Sequence, residues 1–154
     1  MKSIKLFVAC VLSLVLVFII MLIIGSKEAY AVTQYAQRCA SNQDFVTSLY
    51  NSILKRSPDS EGYRNWVDFL SKGANREDVI SKFFESQEYQ GFGRSNRDYA
   101  RDLYNGILGR DPDSGGHDNW THALDTGMSK SEVMRRFFES PEYKGIIEQC
   151  NKLR

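Results

Sequence analysis

The sequence is poor in the residues that usually announce chemistry. It holds two histidines, three cysteines and three prolines in 154 residues, and no excess of charge, with 20 Lys and Arg against 19 Asp and Glu. Near-neutral charge disfavours a nucleic-acid binder, which needs a basic surface to meet phosphates. Two histidines, no G-x-S-x-G elbow and no CxxC pair remove the ordinary routes to an activated nucleophile or a tetrahedral zinc site, because each needs a base or ligands at fixed spacing. No five-residue run of alternating polarity stands out, which argues against half-buried strands. With 42% apolar and 25% charged residues, the composition is that of a globular chain, not of a disordered or fibrous one.

What is present begins with Lys2 and Lys5, an apolar run from Leu6 to Ile24, a short polar stretch and Ala29-Tyr30-Ala31. These are the three parts of an export signal: a positive end, an apolar core and small residues that fit a signal peptidase, with cleavage expected after Ala31. An uncleaved membrane anchor is the alternative, since the 19 residues from Leu6 to Ile24, at about 1.5 Å each, nearly span a roughly 30 Å hydrocarbon core. Both readings leave residues 32–154 outside the cytoplasm, secreted or envelope-anchored, with membrane contact only through residues 6–24. Without residues 1–31, 17 Lys and Arg face 18 Asp and Glu.

Cysteine usage agrees with that compartment. Cys10 lies in the leader, while Cys39 and Cys150 stand near the two ends of the mature chain. Outside the cell a Cys39–Cys150 disulfide is expected. Closing a loop of roughly 110 residues contributes about 5 kcal/mol on chain-entropy grounds.

Sliding the sequence along itself by 54 residues aligns Ser41–Gly91 with Ser95–Gly145 without a gap, with 25 of 51 positions identical. The chain is therefore a tandem repeat. The organisation expected is a leader over 1–31, a segment 32–40 carrying Cys39, repeat 1 over 41–93 and repeat 2 with a C-terminal extension over 94–154. In repeat 1 the first helix starts near Ser41, with Asp44 completing a box-like cap, and its stripe of Phe45, Val46, Leu49, Tyr50, Ile53 and Leu54 has helical spacing. Ser57-Pro58-Asp59 breaks it, and Asp59 or Ser60 caps a second helix carrying Tyr63, Trp66, Val67 and Leu70. Lys72-Gly73 stops that helix; Asn75 opens a third with Val79, Ile80, Phe83 and Phe84, and Ser86 a short fourth. Repeat 2 parses in the same way, with Ser140 and Pro141 marking the last helix start. The fold class predicted is all-α, two tandem copies of a helical module of roughly 50 residues.

The stretches LYNSILKRSPDSEGYRNW and LYNGILGRDPDSGGHDNW, with FFESQEY and FFESPEY further along each copy, resemble the bacterial family called domain of unknown function 4214, one module per copy. That resemblance implies a fold like the helical linker domain of phycobilisomes and a secreted or surface setting, sometimes beside carbohydrate-active or calcium-binding modules. It implies no reaction and no catalytic residues.

Three kinds of site can be weighed from the residues. Asp111-Pro112-Asp113-Ser114-Gly115-Gly116 lies between two helices and superficially looks like an EF-hand loop, which makes Asp111, Asp113, Asp59 and Glu61 weak calcium candidates. The spacing fails: counting from Asp111 puts Gly115 fifth and His122 twelfth, and counting from Ser57 puts Asp68 last, where the cage needs a bidentate Glu. Helix capping by Asp59 and Asp113, with Arg56 and Arg110 pairing nearby, is the simpler use. His117, Asp118 and His122 are spaced poorly for a metal site, and His117 takes the place of Tyr63 on the apolar side. Glu85 and Glu88, repeated as Glu139 and Glu142, are paired acids that a glycoside hydrolase would need, but they sit at a helix start where capping explains them. The repeated aromatics with their neighbouring amides, Tyr50, Asn65, Trp66, Tyr104, Asn119 and Trp120, form a possible binding surface, though their positions also continue the core stripes.

The function expected is therefore that of an exported, non-catalytic binding or scaffolding module at the cell envelope or beyond it, presenting two similar surfaces to a surface protein or glycan, with no cofactor and no nucleic acid. A calcium-dependent envelope module is the alternative, and a polysaccharide or cell-wall hydrolase using the paired carboxylates the second alternative.

Overall fold

The computed structural model describes Cys39 and residues 41–152. The leader assigned to residues 1–31 lies outside the described residues, as does most of segment 32–40. Among the described residues every regular element is helical and no strand occurs. Both copies fall within one compact unit, Gln34–Arg154.

Repeat 1 opens with α1 (Asn42–Leu49), which continues as a π-helical segment, Tyr50–Leu54. Next come α2 (Ser60–Ser71), α3 (Arg76–Glu85) and α4 (Gln87–Gly91). Repeat 2 repeats the order with α5 (Asn96–Leu103), a second π-helical segment at Tyr104–Leu108, α6 (Ser114–Asp125), α7 (Lys130–Glu139) and α8 (Pro141–Lys152). The starts are set locally, by side chains that satisfy the first free N–H groups. Ser41 Oγ accepts from the Asp44 N–H and donates to the Asp44 carboxylate, Asn75 accepts from Glu77, and Ser86 and Ser140 accept from Tyr89 and Tyr143.

The last helix differs between the copies. In repeat 1, α4 stops at Gly91 and Gly93 takes a positive φ of 58°. In repeat 2 the residues aligned with Phe92 and Gly93 are Ile146 and Ile147; Ile146 is buried, and α8 runs on to Lys152.

The six stripe residues predicted for the first helix are all buried. Each is worth about 1.5–3 kcal/mol relative to exposure. One continuous core spans both copies. α1 packs on α2, α5 on α6, and the two π-helical segments pack on each other at the repeat junction. That junction is close enough to need a glycine. A Cβ on Gly106 would lie 2.9 Å from Ile53 Cγ1 and 3.0 Å from the Phe84 ring, both fully buried. Across the same seam the rings of Phe84 and Tyr99 stand 5.7 Å apart, edge to face.

Cys39 and Cys150 are joined, with their Cα atoms 4.8 Å apart and a separation of 111 positions in sequence. The expected disulfide therefore ties the outer ends of the duplication together.

Candidate functional site

The motif shared by the copies is a knot inside each repeat. The π-helical segment carries Tyr50 toward the start of α2, where its hydroxyl lies over Gly62 so closely that a Cβ there would be 2.3 Å away; the same contact between Tyr104 and Gly116 is 2.2 Å. Only glycine leaves room. The Asp59 carboxylate accepts from the Gly62 N–H at 2.8 Å, and Asp113 from Gly116 at 2.8 Å. These backbone donors hold both carboxyls below the usual carboxylate range. Arg56 lies over the Tyr50 ring at 4.9 Å and grips Glu88 with two hydrogen bonds of 2.6 and 2.8 Å. Arg110 does the same with Tyr104 (4.8 Å) and Glu142 (2.6 and 2.8 Å). Such planar two-point pairs are the strongest of their kind. The Arg56 guanidinium holds the Glu88 carboxyl below its ordinary value.

A second cluster belongs to the junction and has no counterpart within repeat 1. Asp102, only 3% exposed, meets the Tyr89 hydroxyl at 3.0 Å, Lys55 Nζ at 3.1 Å and Arg94 Nε at 3.1 Å. The aligned residue in repeat 1 is Ser48. Lys55 takes a left-handed φ of 56°, where repeat 2 has Gly109 at 74°. A lysine there costs roughly 1–2 kcal/mol of backbone strain, and the ammonium contact to Asp102 offsets it.

The tryptophans form the boundary between core and surface. Trp66 rests on Phe83 at 5.2 Å and Trp120 on Phe137 at 5.1 Å. The outer edge of Trp66 joins Phe69, Asn65 and Lys82 around a shallow depression of about 390 Å³. A larger cleft of about 490 Å³ runs between the loop after α2 and the α8 helix, beside Cys150.

The expected binding surface is thus brought together only in part. Asn65 and Asn119 are exposed and Trp66 and Trp120 half-buried, as a surface requires. Tyr50 and Tyr104 are not on it: they are buried at 3% and 5% exposure, with their hydroxyls taken up in the knot with Gly62 and Gly116. Burial, chiefly, raises the ionisation of both phenols above the ordinary value.

Among the calcium candidates, Asp59 and Asp113 act as helix caps, while Glu61 and Asp111 are exposed. Among the described residues, no group of three or more His, Cys, Asp or Glu side chains is arranged to hold a metal ion. His117 is buried and donates from Nε2 to the Arg97 carbonyl at 2.7 Å, a packed histidine joining α6 to α5, whereas His122 is exposed. Glu88 and Glu142 are bound by the arginines, and Glu139 pairs with Arg135. Two residues of the depression, Phe69 and Lys82, were not among those expected. The available signal was divergence at otherwise matched positions, since repeat 2 has Ala123 and Arg136 there.

These features define a class: a tandem all-α module, closed by a disulfide, whose duplicated motif holds each copy together. The chain belongs to the family described as domain of unknown function (DUF4214), whose profile matches residues 22–93 and 90–147. No curated protein and no solved structure matches the chain.

Proposed function

We propose that the protein is an exported bacterial binding or scaffolding module that acts without catalysis at the cell envelope or outside the cell. The observation that carries this reading is the use made of the repeated charged residues. Arg56 with Glu88, and Arg110 with Glu142, neutralise one another in two-point pairs, so these repeated acids hold the fold instead of flanking a bond to be cleaved. Divergence is concentrated on surfaces instead, as at Phe69 and Ala123, and such surfaces are where recognition differs between otherwise matched modules. The two faces are therefore related but not equivalent. A leader with Lys2, Lys5 and an apolar run, together with the Cys39–Cys150 bridge, suits an oxidising compartment.

Fractionation of source cells, then photo-crosslinking of the full-length chain on live cells, tests the reading. The expected result is a chain recovered outside the cytoplasm and joined to an envelope component. Recovery only from the cytoplasm would refute the location. Turnover of cell-wall polysaccharide that disappears when Glu85→Gln and Glu139→Gln are introduced would refute the absence of catalysis.

A further inference from the structure

Resting on that binding reading, we propose that Trp66, Phe69, Asn65 and Lys82 of repeat 1 form a saccharide site that takes a sugar ring bearing a carboxylate. Trp66 and Phe69 stand on α2 with ring centroids 6.2 Å apart and planes at 69°. With Asn65, and with Lys82 from α3, they line the shallow depression of about 390 Å³. A sugar ring has C–H faces that an aromatic surface covers and a polar rim that needs donors and acceptors. The aromatic pair supplies the first, and the Asn65 amide and Lys82 ammonium the second.

The platform is built in advance. Trp66 is fixed from behind by Phe83, so little side-chain freedom is lost when a ligand lands on it. Phe69 remains 40% exposed, which packing within repeat 1 does not require, because repeat 2 folds with Ala123 at the aligned place. Lys82 selects the charge of the ligand. It has no ion-pair partner among the described residues, whereas its counterpart Arg136 is bound by Glu132 at 2.8 Å. An unpaired ammonium at the rim of an apolar ledge favours an anion over a neutral hydroxyl. Repeat 2 keeps Asn119 and Trp120 but has neither the second ring nor the unpaired cation, so it serves as an internal control.

The test uses the full-length oxidised chain carrying Trp120→Phe, so that Trp66 alone reports. Oligogalacturonate and oligomannuronate are the acidic probes and a cello-oligosaccharide the neutral one, with tryptophan fluorescence and titration calorimetry as readouts. An acidic probe is expected to bind and alter Trp66 emission. Phe69→Ala should weaken it by about tenfold, the size of one lost ring contact, with the helical circular dichroism unchanged. Lys82→Gln should weaken the acidic probe by about fivefold and flatten its salt dependence. Binding of neither acidic probe, equal binding of the neutral one, or acidic binding unmoved by both substitutions would overturn the proposal. The two readings can fail separately. Envelope crosslinks that persist without saccharide binding remove only the sugar site, while a chain confined to the cytoplasm removes the reading beneath it.

Discussion

Replacing Gly62 by alanine sets two effects of opposite sign against each other. In a helix, alanine is ordinarily favoured over glycine by up to about 1 kcal/mol, because glycine loses more chain entropy. At this position the new Cβ would lie 2.3 Å from the Tyr50 hydroxyl and 3.1 Å from each Asp59 carboxylate oxygen. Tyr50 cannot yield easily: its ring is buried edge-on to Phe83 at 5.0 Å, with Arg56 over its face. Overpacking of this kind costs about 1–3 kcal/mol, and crowding the Asp59 carboxylate out of its bond from the Gly62 N–H adds about 1 kcal/mol. The net expectation is a loss of about 1–3 kcal/mol, against the gain seen on an open helix. Urea unfolding of the oxidised full-length chain, monitored by circular dichroism, measures it. Tyr50→Phe removes the obstructing oxygen, so Gly62→Ala should cost at least about 1 kcal/mol less in that background. Gly116 with Tyr104 should behave in the same way. Stabilisation by Gly62→Ala, or an equal cost in both backgrounds, would refute the claim that this contact keeps glycine in the motif.

Three further predictions concern the junction and the chain ends. Cys39→Ser with Cys150→Ser should lower stability by up to about 5 kcal/mol, the loop-closure term for a bridge of this span; a change below about 1 kcal/mol in urea titrations would contradict that account. Asp102→Ser should cost about 1–3 kcal/mol, because the half-exposed Lys55 can turn to solvent while Tyr89 and the buried Nε of Arg94 lose their partner. Lys55→Ala with Arg94→Ala should cost more, about 3–5 kcal/mol, since the carboxylate is then left buried without a cation; the reverse order in unfolding free energy would dismiss this balance. Burial, with the charge of Asp102 on Tyr89 and of Glu85 on Tyr99, raises both phenols well above their ordinary value. A raised folded value means stability is intact below the unfolded phenol pKa of about 10 and lost as pH climbs through the folded values. The tyrosinate absorbance of Tyr89 and Tyr99 should therefore appear together with loss of helix on alkaline titration, and ionisation of all the tyrosines in a still-helical chain would count against it.

Local signals carried most of the architecture. Ser41, Asp59, Ser86 and Ser140 each bond an N–H three residues on, so the cap is written within one turn and can be read there. Pairings across the fold were not open to the same reading. YNSIL and YNGIL suit an α-helix as well as a π-helical segment; the wider turn makes sense only with the Tyr50–Gly62 contact in view. Asp102 falls on a buried face that periodicity alone would give to an apolar residue, and its partners Lys55, Tyr89 and Arg94 come from outside repeat 2's first helix. A trace existed in the alignment of the copies, where Ser48 against Asp102 and Lys55 against Gly109 change together. The depression at Trp66 obeys the same rule: the tryptophan and amide recur and were legible, while Phe69 and Lys82 are visible as functional candidates only once α2 and α3 are set side by side.

Because Cys39 and Cys150 are covalently joined with their Cα atoms 4.8 Å apart, a pull on the chain from its two ends passes through sulfur and bypasses the helices. Tension of the kind a tethered protein meets under flow would stretch the residues outside the bridge and leave those between its cysteines unextended. A reduced molecule under the same tension would unravel first at its weakest helix contacts, so the oxidant in its surroundings decides whether this duplication behaves as a rigid link or as a spring.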